Sequence, residues 1–261
     1  MPLQSYFTQS VLFLIFPVLF FSLRAGNLTE SYIPSVEKKS KPGWFWYQPV
    51  NCGLTAVGLA RHSILYPKNS KEEAYHRSIH SFMRQLESQH SGGHAFSITE
   101  RGAVWLGEDH KEIYDNSQFD QLLKNLPVLD YQVSGNLSLV LVGSEQCMGE
   151  VEKQKSQYTL DYRPLWIDQT PRDDRYIYAV GVSQGYYYSE SSWELAEHSA
   201  RRNLSAFLSS RVKGMHFRHE RSDLEIIYSD SEVTLLNAVT QSRYHDHTTN
   251  LYYVLVRMPF R

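Results

Sequence analysis

Gly181-Val182-Ser183-Gln184-Gly185 spells G-x-S-x-G, the pattern that sets a serine nucleophile on a sharp turn from strand to helix. Asp230 and then His245 follow, so a serine-hydrolase reading with Ser183 as nucleophile can be written down. Two features oppose it. Helical periodicity resumes only near Ser192, too late for a nucleophile elbow, and the matching stretch Gly58-Leu59-Ala60-Arg61-His62 has no serine. The glycine therefore reads as a backbone requirement shared by both stretches, and no catalytic residue is assigned.

Metal chemistry is the next candidate. His76 and His80 stand four apart in a helical pattern, which places two imidazoles on one side, as zinc sites do, with His62 or His90 needed as a third ligand. Both fall away from the stripe of Ala74, Ser78 and Phe82, so the expectation is a solvated face, with no metal and no other cofactor. His245-Asp246-His247 reads as polar residues joining a hairpin.

Two other groups of residues have chemical potential. Cys52 and Cys147 are the only cysteines, and a bridge between them in an oxidising compartment would add about 4 kcal/mol in the chain-entropy model. Two unpaired buried thiols are the alternative. Tyr186, Tyr187 and Tyr188 cannot all face one core, which makes them the candidate binding surface. A glycan such as peptidoglycan and a protein are the two partners such a platform suits, and packing beneath the loop competes with both.

The elements that hold these residues come in two copies. Pro42, Trp44, Pro49, Tyr66, Ser70, Ala74 and Leu86 return 122 positions later as Pro164, Trp166, Pro171, Tyr188, Ser192, Ala196 and Leu208. Ala56-Val57-Gly58 returns as Ala179-Val180-Gly181, one residue out of that register. Such an offset marks a duplicated unit. In the second copy, 177–182 reads as a strand. The segment 193–212 reads as a helix with Ala196, Ala200, Leu204, Phe207 and Leu208 facing in and Ser191 or Ser192 as cap. Leu224, Ile226 and Tyr228 alternate as a strand, and 233–244 and 251–258 read as two more. The first copy gives a strand at 55–60, a helix stripe of Ala74, Ser78, Phe82 and Leu86, strands at 96–105 and 137–142, and an inserted helix near 119–126.

This pattern predicts an α+β fold of two tandem domains, each one main helix packed on a small antiparallel sheet in strand-helix-strand-strand order. The boundaries are 41–147 for the divergent first copy, 148–157 for a linker and 158–261 for the second copy. Residues 1–25 read as a signal peptide or N-terminal anchor. The apolar run 11–23 would reach about 20 Å as a helix, short of the roughly 30 Å of a bilayer core. With 26 Lys and Arg against 28 Asp and Glu there is no basic excess of the kind nucleic-acid binding uses.

Pro164-Leu165-Trp166, the strand Tyr178-Ala179-Val180-Gly181, the stripe from Ala196 through Ala200-Arg201 to Leu204, Tyr244-His245-Asp246 and the closing strand from Leu251 to Met258 carry a family resemblance. Together they resemble the bacterial outer-membrane lipoproteins typified by the twenty-kilodalton lipoprotein of Helicobacter, and are similar to flagellar assembly lipoproteins of the P type. The resemblance implies an exported envelope protein with accessory, structural or assembly duties and no catalytic site. It also implies partners among envelope proteins or other copies of the chain, rather than a small-molecule substrate. One departure is clear: family members carry a lipidated cysteine after the signal peptide, and here none precedes Cys52. The expected location is the periplasm or the outer membrane without a lipid anchor.

Overall fold

The computed structural model describes residues 41–99, 102–158, 162–213 and 225–260, which belong to one compact unit. Strand β1 (Lys41–Pro42) leads into the short helix α1 (Gly43–Trp46), and β2 (Thr55–Arg61), α2 (Pro67–Leu86), β3 (Glu87–Thr99) and β4 (Gly102–Ile113) follow. Next come α3 (Phe119–Asn125), β5 (Val128–Ser134), β6 (Leu137–Gly143), α4 (Met148–Lys153) and β7 (Gln157–Tyr158). The second copy contributes β8 (Tyr176–Gln184), α5 (Ser189–Lys213), β9 (Glu225–Leu236), β10 (Val239–Asp246) and β11 (Leu251–Pro259). The class is α+β, with small antiparallel sheets.

The duplication seen in the sequence is a duplication of topology. In the first copy the strand order is β2-β6-β5, in the second β8-β11-β10, so each opening strand pairs with the last strand of its own copy. Gly58 lies opposite Val140 and Gly181 opposite Val254. The one-residue slip has a local cause: the loop from β2 to α2 spans 62–66, one residue more than the loop 185–188 between β8 and α5.

Each main helix lies on its own sheet through a seam of small residues. Ala74, Ser78, Ala196 and Ala200 are all fully buried, as the stripes predicted. The far ends differ from expectation. Leu86 and Phe207 are exposed; Ile79, Met83 and Gln85 are buried under α2, where steps of four drift off the buried face of a helix that repeats every 3.6 residues, and under α5 Leu204 is buried and Leu208 packs against the core. The helix α5 starts at Ser189, so Ser192 is not its cap; the Ser192 hydroxyl accepts the Tyr186 N–H instead, at 2.8 Å.

Two strands expected as continuous are each divided in two. The segment 96–105 is part of a hairpin, β3 followed by β4. The segment 233–244 divides at Asn237, which has φ of 55° and donates its N–H to the Leu86 carbonyl, ending β9 and letting β10 begin two residues later. Asparagine tolerates that left-handed conformation better than most residues. Leu224 lies outside the described residues.

The two copies share their interior. Strand β3 of the first copy lies between β4 and β9, so one antiparallel sheet takes strands from both. The buried cluster runs from Trp44, Phe45 and Trp46 through Leu139 and Leu141 to Trp193, Ala196, Leu204, Val254 and Val256. Trp193 packs edge-on to Phe45 at 5.2 Å and to Tyr252 at 4.7 Å between ring centres. The segment expected as a linker holds α4, whose Val151 is fully buried, and β7, which pairs with β1. Cys52 and Cys147 meet as a disulfide with Cα atoms 5.3 Å apart, tying the start of β2 to the end of β6.

Candidate functional site

The loops that join strand to helix are built alike in the two copies. Ser70 and Ser192 are buried serines in the first turn of α2 and α5. Each hydroxyl accepts a loop N–H at 2.8 Å, from Ser63 in one copy and Tyr186 in the other. A backbone bond ties each loop to the neighbouring hairpin turn: His62 N–H to Asn136 O at 2.7 Å, and Gly185 N–H to Asn250 O at 2.8 Å. With the base of each loop pinned twice, the tip has to turn outward.

What the tips carry is apolar. Ile64, Leu65 and Tyr66 are 89%, 81% and 65% exposed, and Tyr186, Tyr187 and Tyr188 are exposed as well, Tyr187 by 87%. The Arg61 guanidinium lies 5.2 Å over the Tyr188 ring, so the two tips form one rim. The tyrosine triplet thus stands in the open, and packing beneath the loop does not describe it. The first-copy half of the rim was missed in the sequence, although Ile64-Leu65-Tyr66 aligns with the triplet at the helix offset of 122.

A second exposed feature lies at the opposite end of β8, which is the edge strand of its sheet. Arg175 O accepts the Phe260 N–H at 2.8 Å, which turns the backbone groups of odd-numbered β8 residues toward β11 and those of even-numbered ones outward. Helix α5 caps two of these outward groups: Asn203 Nδ2 donates to Val180 O at 2.8 Å, and Val182 N–H donates to Ser199 Oγ at 3.4 Å. Tyr176 and Tyr178 turn the same way, beside a cleft of about 1360 Å³ that Phe207, Phe260, Asp173 and Asp174 also line.

Between α5 and the shared sheet lies a chain of buried charge. Glu112 of β4 accepts from Arg201 Nε at 2.6 Å and meets His198 Nδ1 at 2.8 Å. Arg201 is 3.9 Å from Glu197, which pairs with Arg243, and Arg243 donates to Phe45 O at 2.9 Å. Burial alone would raise the Glu112 carboxyl, but the His198 hydrogen bond and the Arg201 charge hold it far below the usual range. His90 bonds Ser88 Oγ at 2.9 Å and His110 at 3.2 Å, and burial pushes it down to about 4. Of these residues the sequence singled out only His90, as a possible third metal ligand, and Arg201, within the helix stripe of the resemblance; the network itself was not foreseen.

The residues singled out for catalysis are not brought together. Ser183 lies within β8, which continues to Gln184, and its hydroxyl donates to the Gln184 carbonyl at 3.0 Å. His245 bonds Asn250 Oδ1 at 3.1 Å and stacks on Tyr252, and Asp230 sits opposite Gly93 in a different sheet. His76 is exposed and meets the Phe119 ring of the inserted helix edge-on, while His80 is half-buried, stacks on the same ring and meets the Tyr114 hydroxyl at 3.2 Å. His62 bonds Ser138, apart from both. Among the described residues no group of His, Cys, Asp and Glu has the arrangement of a metal site, and no helix is long and apolar enough to cross a membrane. Residues 1–25 lie outside the described residues. Comparison with protein-family models, with curated proteins and with solved structures found no match.

Proposed function

We propose that this chain is a non-enzymatic accessory or assembly component of the bacterial cell envelope that works through protein contacts. The flagellum is the process that the resemblance of its second copy suggests. The observation that carries the reading is the half of the β8 edge that no described residue caps, where Tyr176 and Tyr178 turn backbone donors and acceptors toward a broad cleft. An open strand edge beside a cleft with exposed Phe207 and Phe260 suits an extended segment of another protein added as a further strand. Backbone pairing would give such a contact its affinity and the cleft its selectivity.

The test is crosslinking in whole cells from a photoreactive residue at Asp174, beside the edge, repeated with Tyr178→Pro in the same chain. Proline at 178 removes an outward N–H and leaves the bonds to β11 in place. A crosslinked protein that disappears with the proline supports the reading. No crosslinked species, or one indifferent to the proline, refutes the contact.

A further inference from the structure

We infer that His90, His110 and His198 form an acid-opened latch, which holds the outer strand β4 against α5 while the imidazoles are neutral and lets it part when they take up protons. The latch involves neither the β8 edge nor the loop tips.

Proton positions are the first argument. His90 Nδ1 lies 3.2 Å from His110 Nε2, and His90 Nε2 bonds Ser88 Oγ at 2.9 Å. A contact of that length between two ring nitrogens needs an N–H on one and a lone pair on the other, so the pair holds one proton between them. With both rings charged, N–H faces N–H and the contact is lost. The His198 ring is 5.3 Å from that of His110, centre to centre, so a third charge would adjoin the first two.

Charge balance is the second. Three imidazoles gather around one carboxylate: Glu112 meets His198 Nδ1 at 2.8 Å and stands 3.7 Å from His90 Nε2, and Arg201 already occupies it at 2.6 Å. Glu197, which α5 also brings, is paired with Arg243 of β10 and lies 3.9 Å from Arg201, while β9 sets the apolar Val233 opposite His90. With neutral rings the two acids and the two arginines cancel. Each added proton leaves a positive charge without a match in a buried place. His90 is 1% exposed, and burial pushes it down to about 4. Glu112 is held far below the usual carboxylate range, so it stays ionised and does not take the proton in place of a ring.

The two sides of α5 are the third. Toward its own sheet the helix rests on Gly181 through Ala196 and Ala200, a seam with nothing to titrate; toward β4 it is held by Arg201 and His198 on Glu112. Acid therefore acts on one side of the helix. Among the described residues β4 pairs with β3 alone, so losing α5 leaves it free to fray from that ladder while β8 and β11 keep theirs. Once released, His90 regains its ordinary value of 6.5. Parting is thus rare above pH 6.5 and grows as the pH falls toward 4, by about twentyfold between pH 7 and pH 5.

The experiment is native-state hydrogen exchange of the full chain in low urea, read by mass spectrometry at pH 7 and pH 5 and corrected for the intrinsic pH dependence of exchange. Strand β6, central in its sheet, reports unfolding of the whole. Protection of β4 falls about twentyfold, stays below that of β6 at both pH values and is indifferent to urea; with His90→Gln and His110→Gln in one chain the fall shrinks below about threefold. Constant protection of β4, one common rate for β4 and β6, or an undiminished fall in the double variant overturns the inference. Should the double variant not fold, the comparison of β4 with β6 in the wild type still decides.

Discussion

Gly58 and Gly181 do the same work in the two copies. A Cβ at Gly58 would overlap the Ala74 carbonyl and the Ser78 nitrogen, and one at Gly181 would overlap the Ala196 carbonyl and the Ala200 nitrogen. In each copy the helix backbone rests on the opening strand at a point where only hydrogen fits. That contact explains why G-x-S-x-G appears here without nucleophile chemistry: Gly181 is set by packing, and Ser183 by its place in β8.

Gly181→Ala is therefore expected to destabilise by about 3 kcal/mol, at the upper end of what an extra methyl costs in a tight core. Gly53→Ala, where an added Cβ meets nothing within 4 Å, serves as the control. Urea midpoints of the two variants and the wild type measure the difference. Equal midpoints for Gly181→Ala and the wild type would show that the helix can lift from the sheet at no cost.

Arg201→Met should cost about 3 to 5 kcal/mol, since it leaves Glu112 buried without its guanidinium partner. Converting Glu112 to Leu in the same chain should recover part of that loss, because the uncompensated charge goes with it. Guanidinium unfolding of the single and double variants provides the measurement. A double variant weaker than Arg201→Met would instead locate the stabilisation in the His198 contact to Glu112.

Acid should weaken the fold through His90. Its ordinary value of 6.5 falls to about 4 in the fold, chiefly by burial, so the unfolded chain takes up this proton first. Stability is whole above pH 6.5 and declines as the pH drops toward 4, by on the order of 2 to 3 kcal/mol. His245, also held near 4 by burial, acts in the same direction. The groups around His90 are Ser88, His110, Glu112, Arg201 and His198, and of these only Glu112 favours the protonated ring. Urea midpoints at pH 7 and pH 4.5, for the wild type and His90→Gln, should show a smaller drop in the variant.

The topology of each copy was legible because local signals determine it. Small residues four apart on a helix and glycine on the strand beneath require close approach whatever the rest of the chain does. The alternation in β11 and the turn residues before it gave a hairpin. Leu86 misled because steps of four from Ala74 drift off the face of a helix that repeats every 3.6 residues, so that Gln85 is buried in its place.

Burial of charge was hidden for a related reason. Glu197 and Arg201 stand four apart on α5, a spacing that says nothing of burial, and only the arrival of Glu112 from β4 and Arg243 from β10 turns that face into an interior. The rim was half visible: the tyrosine triplet announced itself, while Ile64-Leu65-Tyr66 became its counterpart once Arg61 was seen over Tyr188.

By itself the sequence determined that there are two copies, that each packs a helix on an antiparallel sheet through a small-residue seam, and where the tip of the second copy's loop falls. Only the tertiary structure decided that β3 and β9 join the copies in one sheet and that both tips meet at one rim. The physical reason is range: spacing along the chain encodes which face of an element is apolar, but the register between strands separated by some 140 residues is selected by the packing of the whole.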